Sequence, residues 1–255
     1  MTFYYWSGNK SIPGDFWSYF IYGQNFYWVI NGDIGTRVPG SFHFWYLTLD
    51  FYLVLIWTFV VKVTKREHLK RVFWGLMFFS VVYRSAIPLV SDNILLTYTM
   101  PWGTMDAFSV GGLLALRVKE GKPLLRLGNI SLMAALMLML VCVVSMKMIK
   151  GVGVIKAITM YSSAYNYGDN PVTILILTVM SLFACAAISY CFSIKKELFI
   201  SNYFVAKIGG MSYELYVLHF PILYLLGLWL NNKYVIGLIA YILTFVLSKA
   251  WKLIF

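Results

Sequence analysis

The chain has 255 residues, of which 60% are hydrophobic and only 12% are charged. An average soluble domain carries about 25% charged residues, so this composition excludes an ordinary soluble protein. It predicts an all-α, polytopic integral membrane helix bundle. The net charge of +11 does not predict nucleic-acid binding, because the basic residues flank apolar runs, as the topology of a membrane protein requires.

Long apolar runs predict about seven transmembrane helices in this chain, all in a single membrane domain that covers residues 1–255. Residues 1–41 precede these runs. Within this N-terminal stretch Pro and Gly are spread along the sequence and aromatic residues are frequent, which is typical of an external aromatic loop. The predicted spans lie near residues 42–61, 72–90, 102–117, 129–147, 171–193, 208–230 and 234–251.

The distribution of basic residues predicts how the spans are oriented. If the loop after the first span is cytoplasmic, the cytoplasmic side holds fourteen Lys and Arg residues and the outer side holds six. The positive-inside rule then places the C-terminus in the cytoplasm and residues 1–41 outside. No earlier helix in the sequence would carry those residues across. A translocated tail of that length is one explanation, and the simpler one, which we expect, is an odd number of upstream helices lost by truncation or by a start at a late methionine.

Two charged residues lie inside the first two predicted spans. Asp50 is about 12 Å below the outer end of the first span, and Arg84 is about 9 Å below the outer end of the second. Isolated charges at that depth are unfavourable, so we expect the two to face each other or to share a polar cavity. Two interpretations stay open: an ion pair that only fixes helix packing, and a part of a functional site.

The sixth predicted span carries polar residues on one helix face. Ser212, Tyr216 and His219 follow the i, i+4, i+7 pattern and would present a hydroxyl, a phenol and an imidazole to the bundle interior. His43 lies at the outer mouth of the first span, where a histidine is hydrated enough to act as a general base. The alternatives are plain hydrogen bonds between helices for the first three and an interfacial position for His43.

No motif indicates a bound metal or a bound cofactor. The chain has no phosphate-binding Gly-rich loop, no GxSxG, no HExxH and no two histidines at metal-ligand spacing. Cys142, Cys185 and Cys191 lie in apolar segments without paired spacing, so we expect small buried side chains rather than disulfides or a zinc site.

Four segments carry a resemblance to a known family. They are YGQNF at 22–26, FWYLTLDFYLVL at 44–55, TMDAFSVGGLLAL at 104–116 and GGMSYELYVLHFPIL at 209–223. In this order they resemble the external loop motif, the Trp-Ser-Leu-containing span, the Arg-x-Asp-Ala span and the Gly-x-x-Ser-Tyr-x-x-Tyr-x-x-His-x-Pro segment of the membrane acyltransferase-3 family. Members of that family move acyl groups, commonly acetyl, onto cell-surface sugars.

The chain also departs from the family pattern. The resemblance implies additional spans before the first one here, and the family's first span carries an Arg and a His, the favoured catalytic base, that nothing in this chain matches. Thr104 stands in place of the Arg of the Arg-x-Asp segment, and Asp50 alone stands for the usual acidic pair. If the chain starts at Met1, the base is expected to be His43 or His219, or to be absent.

The resemblance implies an O-acyltransferase that moves acetyl from acetyl-CoA, or another acyl group from its CoA ester, to a hydroxyl of a cell-surface polysaccharide or its lipid-linked precursor. The implied location is the bacterial inner (cytoplasmic) membrane. The implied partners are membrane lipids, the saccharide acceptor and the acyl-CoA donor, with no bound cofactor, no metal and no nucleic acid. The candidate catalytic residues are His219, Arg84 and His43, and the candidate substrate-binding residues are Asp50, Asp106, Tyr216 and Ser212.

Other functions use the same residues differently. A transporter or flippase-like carrier of lipid-linked saccharides would bind its substrate with the intramembrane charges and perform no chemistry. An inactive remnant of a truncated gene is a further alternative. An O-antigen polymerase is less favoured, because the 148–170 loop is modest and its basic residues are Lys150 and Lys156, without an Arg.

Overall fold

The computed structural model describes residues 16–32, 42–159, 170–193 and 203–254. These residues form twelve α-helices and contain no strand, which confirms the all-α class. The helices are α1 (Phe16–Phe20), α2 (Gln24–Asn31), α3 (Trp45–Val63), α4 (Arg66–Val90), α5 (Leu95–Tyr98), α6 (Met105–Lys119), α7 (Leu125–Lys150), α8 (Val154–Thr159), α9 (Ile176–Ser193), α10 (Tyr203–Gly209), α11 (Ser212–Gly227) and α12 (Lys233–Ile254).

Five segments of the described residues are long and apolar enough to cross a membrane, and they coincide with five of the seven predicted spans. They are Trp45–Val63, Arg66–Val90, Leu125–Lys150, Thr173–Ser193 and Lys233–Trp251. The chain is therefore a multi-pass membrane protein.

Two predicted spans correspond to shorter helices. The helix α6 has 15 residues and α11 has 16. At ~1.5 Å per residue these helices are about 23 Å long, which is less than the ~30 Å hydrocarbon core of a bilayer. That α6 and α11 cross the membrane therefore stays a prediction.

Some helices extend beyond the apolar runs that predicted them. The helix α4 begins at Arg66, inside the basic segment that we expected to be a loop, and α7 runs from Leu125 to Lys150, past both predicted ends. Arg, Lys, Glu and Leu are good helix formers, and long basic side chains reach water while their stems cover apolar surface. Hydropathy locates the apolar part of such a helix but not its ends.

The chain divides into two compact units, one of Met1–Trp45 with Tyr213–Phe255 and one of Tyr46–Ser212. In the second unit α4 packs on α6, α6 on α9 and α7 on α9. The core between α7, α8 and α9 is apolar, and its buried residues are Ala135, Cys142, Val143, Met146, Ala157, Ile176 and Val179. Cys142, Cys185 and Cys191 are free; the first two are buried, as expected from the sequence, whereas Cys191 is only partly buried.

A glycine sets the position of α6 within this unit. The rings of Trp57 and Phe73 stack with their centroids 4.5 Å apart and an interplanar angle of 21°. A Cβ atom at Gly112 would lie 2.5 Å from the Trp57 ring and 2.7 Å from the Phe73 ring. Only a residue without a side chain allows α6 to approach the two rings this closely.

The unit of Met1–Trp45 and Tyr213–Phe255 contains α1, α2, the 3-10 turn Phe42–Phe44, α11 and α12. Within the predicted external loop, residues 16–32 form two helices rather than an irregular segment. Trp28 anchors α2, with 1% of its surface exposed, and Gly32 ends that helix in the left-handed conformation with φ 66°. Residues 1–15 and 33–41 of the predicted loop lie outside the described residues.

Candidate active site

A first cluster of polar side chains surrounds His43, in the turn that leads into α3. His43 is buried, with 7% of its surface exposed, so the hydrated position expected from the sequence is wrong. The centroid of its ring lies 4.9 Å from that of His219 and 5.3 Å from that of Phe220, on which it stacks. The ring of Tyr216 meets it edge-on at 5.1 Å. The fold thus brings together two of the chain's three histidines.

His219, on α11, is half-buried and has a defined orientation. Its Nδ1 lies 2.6 Å from the backbone carbonyl oxygen of Tyr216, one turn earlier in the helix. A carbonyl oxygen can only accept a hydrogen bond, so Nδ1 is the donor in this contact, and in a singly protonated ring Nε2 then carries the lone pair. No described residue hydrogen-bonds to Nε2. His219 therefore offers a basic nitrogen for a proton from another molecule.

Tyr216 lies on the same face of α11 as His219, as their i, i+3 spacing predicts. Its hydroxyl donates a hydrogen bond to the backbone carbonyl oxygen of His43, which ties α11 to the turn before α3. Ser212, the third residue of the predicted polar face, is the exposed first residue of α11. Its role in substrate binding stays a prediction.

Two amides of α2 also hold the turn that carries His43. The Nε2 of Gln24 donates a hydrogen bond of 3.0 Å to the carbonyl oxygen of Phe44, and the Nδ2 of Asn25 donates one of 2.8 Å to that of Trp45. Neither amide was among the candidate residues. The resemblance of YGQNF to a family motif could have indicated these two amides, but it does not show which groups they bind.

A second cluster is built on a buried ion pair between Arg84 of α4 and Asp106 of α6. Arg84 Nη1 lies 2.8 Å from Asp106 Oδ1, and Nη2 lies 2.6 Å from Oδ2. The Thr178 hydroxyl of α9 accepts a hydrogen bond from Arg84 Nη2 and donates one of 2.7 Å to Asp106. Ser80 donates to Asp106 over 3.3 Å, and Arg84 also donates to the carbonyl oxygen of Gly103. The pair thus joins three helices.

The predicted partner of Arg84 is corrected by this geometry. We expected Asp50 and Arg84 to face each other or to share a polar cavity, but the carboxylate that binds Arg84 is that of Asp106, and Asp50 forms no ion pair among the described residues. The depth of a residue in a span does not say which way each helix is rotated. The helix α4 packs on α6, whose first turn carries Asp106 at the level of Arg84.

The Arg84 cluster is closed to solvent and nearly saturated. The side chains of Arg84 and Asp106 are 0% and 1% exposed, and the two charges neutralise each other in a bidentate pair. Sequence reasoning missed Ser80 and Thr178. Ser80 is detectable as the residue one turn before Arg84, whereas nothing in the sequence connects Thr178 to this site.

The two clusters differ in the chemistry that they allow. The histidine cluster offers a proton acceptor on a half-buried side chain, and the Arg84 cluster offers neither an accessible charge nor an accessible proton. The described part of the chain holds no group of three or more His, Cys, Asp or Glu side chains that would bind a metal ion. General base chemistry at His219 is what the described side chains support most directly.

The apolar helices define a multi-pass membrane protein, and the histidine cluster is a half-buried polar site within it. The family model described as an acyltransferase domain, acyltransferase-3, matches residues 3–254, and the chain belongs to this family. The resemblance seen in four motifs is thereby confirmed, and acyl transfer is the class of activity that the family supports. No curated protein and no solved structure matches the chain.

Proposed function

We propose that this membrane acyltransferase is an O-acyltransferase that moves acetyl from acetyl-CoA to a hydroxyl of a cell-surface polysaccharide or of its lipid-linked precursor. The observation that carries the proposal is the orientation of His219, whose Nδ1 is fixed by the Tyr216 carbonyl oxygen and whose Nε2 is left as a base. A hydroxyl becomes a competent nucleophile when a base removes its proton as it attacks.

The proposed reaction balances with His219 as the only proton carrier. His219 Nε2 takes the proton of the acceptor hydroxyl, and the oxygen attacks the thioester carbonyl to form a new C–O bond and a tetrahedral oxyanion. The C–S bond then breaks, the ester is released, and the proton on His219 passes to the sulfur of CoA. The neutral ring is regenerated for the next cycle.

The oxyanion requires a cation or a hydrogen-bond donor, and Arg84 is the candidate from the sequence. In the observed geometry its guanidinium is bound to Asp106 and is fully buried. A direct catalytic role for Arg84 therefore requires that the cluster opens. A role in holding α4, α6 and α9 together requires no change.

The candidate substrate-binding residues differ in how available they are. Asp50 is half-buried on α3 and Ser212 is exposed, so both are proposed to bind hydroxyl groups of the saccharide. Tyr216 and Asp106 already hydrogen-bond to His43 and Arg84, so a contact with substrate would add to those bonds.

The proposed location is the bacterial inner membrane, with lipids around the apolar helices and the C-terminus in the cytoplasm. The excess of basic residues on that side supports this orientation. A C-terminal fusion to a fluorescent protein that folds only in the cytoplasm should fluoresce. A fusion to a phosphatase that is active only outside the cytoplasm should be inactive, and the opposite pair of results would contradict the orientation.

The activity is tested with membranes that contain the full chain, radiolabelled acetyl-CoA and a lipid-linked or polymeric saccharide acceptor. We expect label in the glycan, and we expect His219→Ala to lower the rate at least ~100-fold, as is typical for the loss of a general base. His68→Ala is the matched control, because His68 is exposed beside Glu67 at 3.4 Å and should leave the rate unchanged.

Three results would contradict the proposal. Equal rates for the wild type and His219→Ala would exclude His219 as the base. Glycan that is moved across the membrane without acquiring label would indicate a carrier instead of a transferase, and no label and no movement would indicate an inactive chain.

A further inference from the structure

Side chains from other elements bind three consecutive backbone carbonyls at the start of α3. The carbonyl oxygen of Phe44 accepts from Gln24 Nε2, and that of Trp45 accepts from Asn25 Nδ2. The carbonyl oxygen before them, that of His43, accepts from the Tyr216 hydroxyl. We call Gln24, Asn25 and Tyr216 the carbonyl clamp.

The clamp is not needed to satisfy the backbone hydrogen-bonding groups at the start of α3. The unsatisfied groups at the N-terminus of a helix are N–H groups, whereas the carbonyls there accept the first intrahelical hydrogen bonds. Since α3 begins at Trp45, the carbonyls of Phe44 and Trp45 already have backbone donors, and the two amides use a second lone pair on each oxygen. What the amides add is a fixed position for the turn.

The burial of these amides also points to a role beyond packing. Gln24 and Asn25 are 2% and 0% exposed, and the Oε1 of Gln24 has no hydrogen-bond partner among the described residues. A buried polar atom without a partner is unfavourable, so an apolar side chain at position 24 would be expected to serve packing better.

The turn that the clamp holds is the one that brings His43 to the candidate base. The ring of His43 stacks on Phe220 and lies 4.9 Å from the ring of His219. Because His219 is only half-buried, its ring is restrained by these neighbours together with the hydrogen bond at Nδ1. A shift of the turn would therefore remove the contact of the His43 ring with the imidazole of His219.

We propose that Gln24, Asn25 and Tyr216 are positioning residues for the acyl-transfer site. They hold the backbone of residues 43–45 so that the His43 ring keeps the imidazole of His219 in the orientation that directs Nε2 to the acceptor hydroxyl. The proposal rests on the proposed function for its effect on rate. Its structural part, the placement of two histidine rings, holds or fails without any assay of acyl transfer.

The test uses substitutions of similar size that remove one donor each: Gln24→Met, Asn25→Leu and Tyr216→Phe. The matched controls are Asn31→Leu, whose exposed amide donates to a carbonyl within α2, and Tyr190→Phe, whose exposed hydroxyl donates to Asn129. All variants are full-length chains reconstituted in lipid vesicles, with the fraction of inserted protein and the unfolding temperature measured alongside.

The first readout is the magnetic resonance spectrum of protein labelled with nitrogen-15 in its three histidines. We expect the ring signals of His43 and His219 to move in each clamp variant and to stay in place in both controls. The signal of His68 reports on the integrity of the fold, because His68 lies on α4, in the other compact unit. Unchanged signals of His43 and His219 in Tyr216→Phe would overturn the proposal.

The second readout is the rate of acetyl transfer. Misplacing a catalytic group by about 1 Å costs up to ~100-fold in rate, so we expect kcat to fall between about 10-fold and 100-fold while the KM for acetyl-CoA changes less than about twofold. Shifted signals with unchanged kcat would overturn the catalytic half of the proposal. A wild type without acetyl transfer would overturn the proposed function, and the spectra would still decide whether the clamp positions the two rings.

Discussion

The two polar clusters of this protein contrast in a way that composition does not reveal. Arg84 and Asp106 are charged residues between apolar helices, but both are buried and bind each other and neighbouring side chains. His43 and His219 are weaker polar groups, yet His219 is half-buried and keeps a nitrogen with no described partner. A charge inside a membrane protein is thus a poor guide to chemistry when it is buried and most of its hydrogen-bonding groups already have partners.

The largest effect is expected from breaking the buried pair. Arg84→Met leaves the Asp106 carboxylate buried without its partner, which should lower the free energy of unfolding by about 3–5 kcal/mol. Arg71→Met, an exposed arginine of the same helix, should change it little. Denaturation in detergent or in vesicles measures both.

The double variant Arg84→Met with Asp106→Asn separates stability from catalysis. Removing both charges should recover much of the lost stability, because the cost arises from the unpaired carboxylate. If the pair only joins helices, this variant should retain acetyl transfer. A stable double variant without activity would instead make Arg84 part of the catalytic machinery and would remove the contrast between the two clusters.

The next effect concerns the role of His43 beside His219. His43→Ala removes the ring wall and should lower acetyl transfer up to ~100-fold, as expected for a misplaced base. His43→Phe keeps a ring of similar width and should retain clearly more activity than His43→Ala. Equal loss in both variants would mean that the His43 nitrogens, rather than its ring, are needed for the reaction.

A smaller effect is expected from overpacking α6, the helix that carries Asp106. Gly112→Ala places a methyl group against the rings of Trp57 and Phe73 and should destabilise the protein by about 1–3 kcal/mol. Gly111→Ala is the control, since a Cβ there meets nothing within 4 Å and alanine favours a helix. Equal stability of the two variants would contradict the close approach of α6 to these rings.

The smallest effect is expected from an exposed ion pair of the same length. Lys122 Nζ lies 2.6 Å from Glu120 Oε2, the same distance as the shorter contact of the Arg84 pair. The hydrogen bond and charge of Lys122 hold the pKa of Glu120 below its ordinary value of 4.5. Its contribution to stability is therefore present above that value and is lost as the pH falls through the lowered pKa.

The variant Glu120→Gln tests whether the stability from this ion pair is lost as the pH falls. Since both partners are exposed, we expect only a slightly lower unfolding temperature than that of the wild type at neutral pH, and no difference at about pH 2. A loss as large as that of Arg84→Met would contradict the view that burial, and not distance, makes the Arg84 pair important.

Several parts of the candidate site were predictable from the sequence. The i, i+3 spacing of Tyr216 and His219 places them on one face of α11, and the depth of Arg84 required an acidic partner. The identity of that partner was not predictable. The helices α3 and α4 carry apolar residues around most of their circumference, so the sequence holds little information on which side faces which neighbour.

The sequence by itself determined the class of this protein. Long apolar runs predict membrane helices because a helix must satisfy its own backbone hydrogen bonds across the thickness of the bilayer. Four motifs resemble the acyltransferase-3 family, and the family model that matches residues 3–254 assigns the chain to it. The tertiary structure decided the partners: Asp106 and Thr178 for Arg84, and His43 with its carbonyl clamp for His219. Those contacts depend on the rotation of each helix about its axis and on close packing between residues far apart in the sequence, and hydropathy encodes neither.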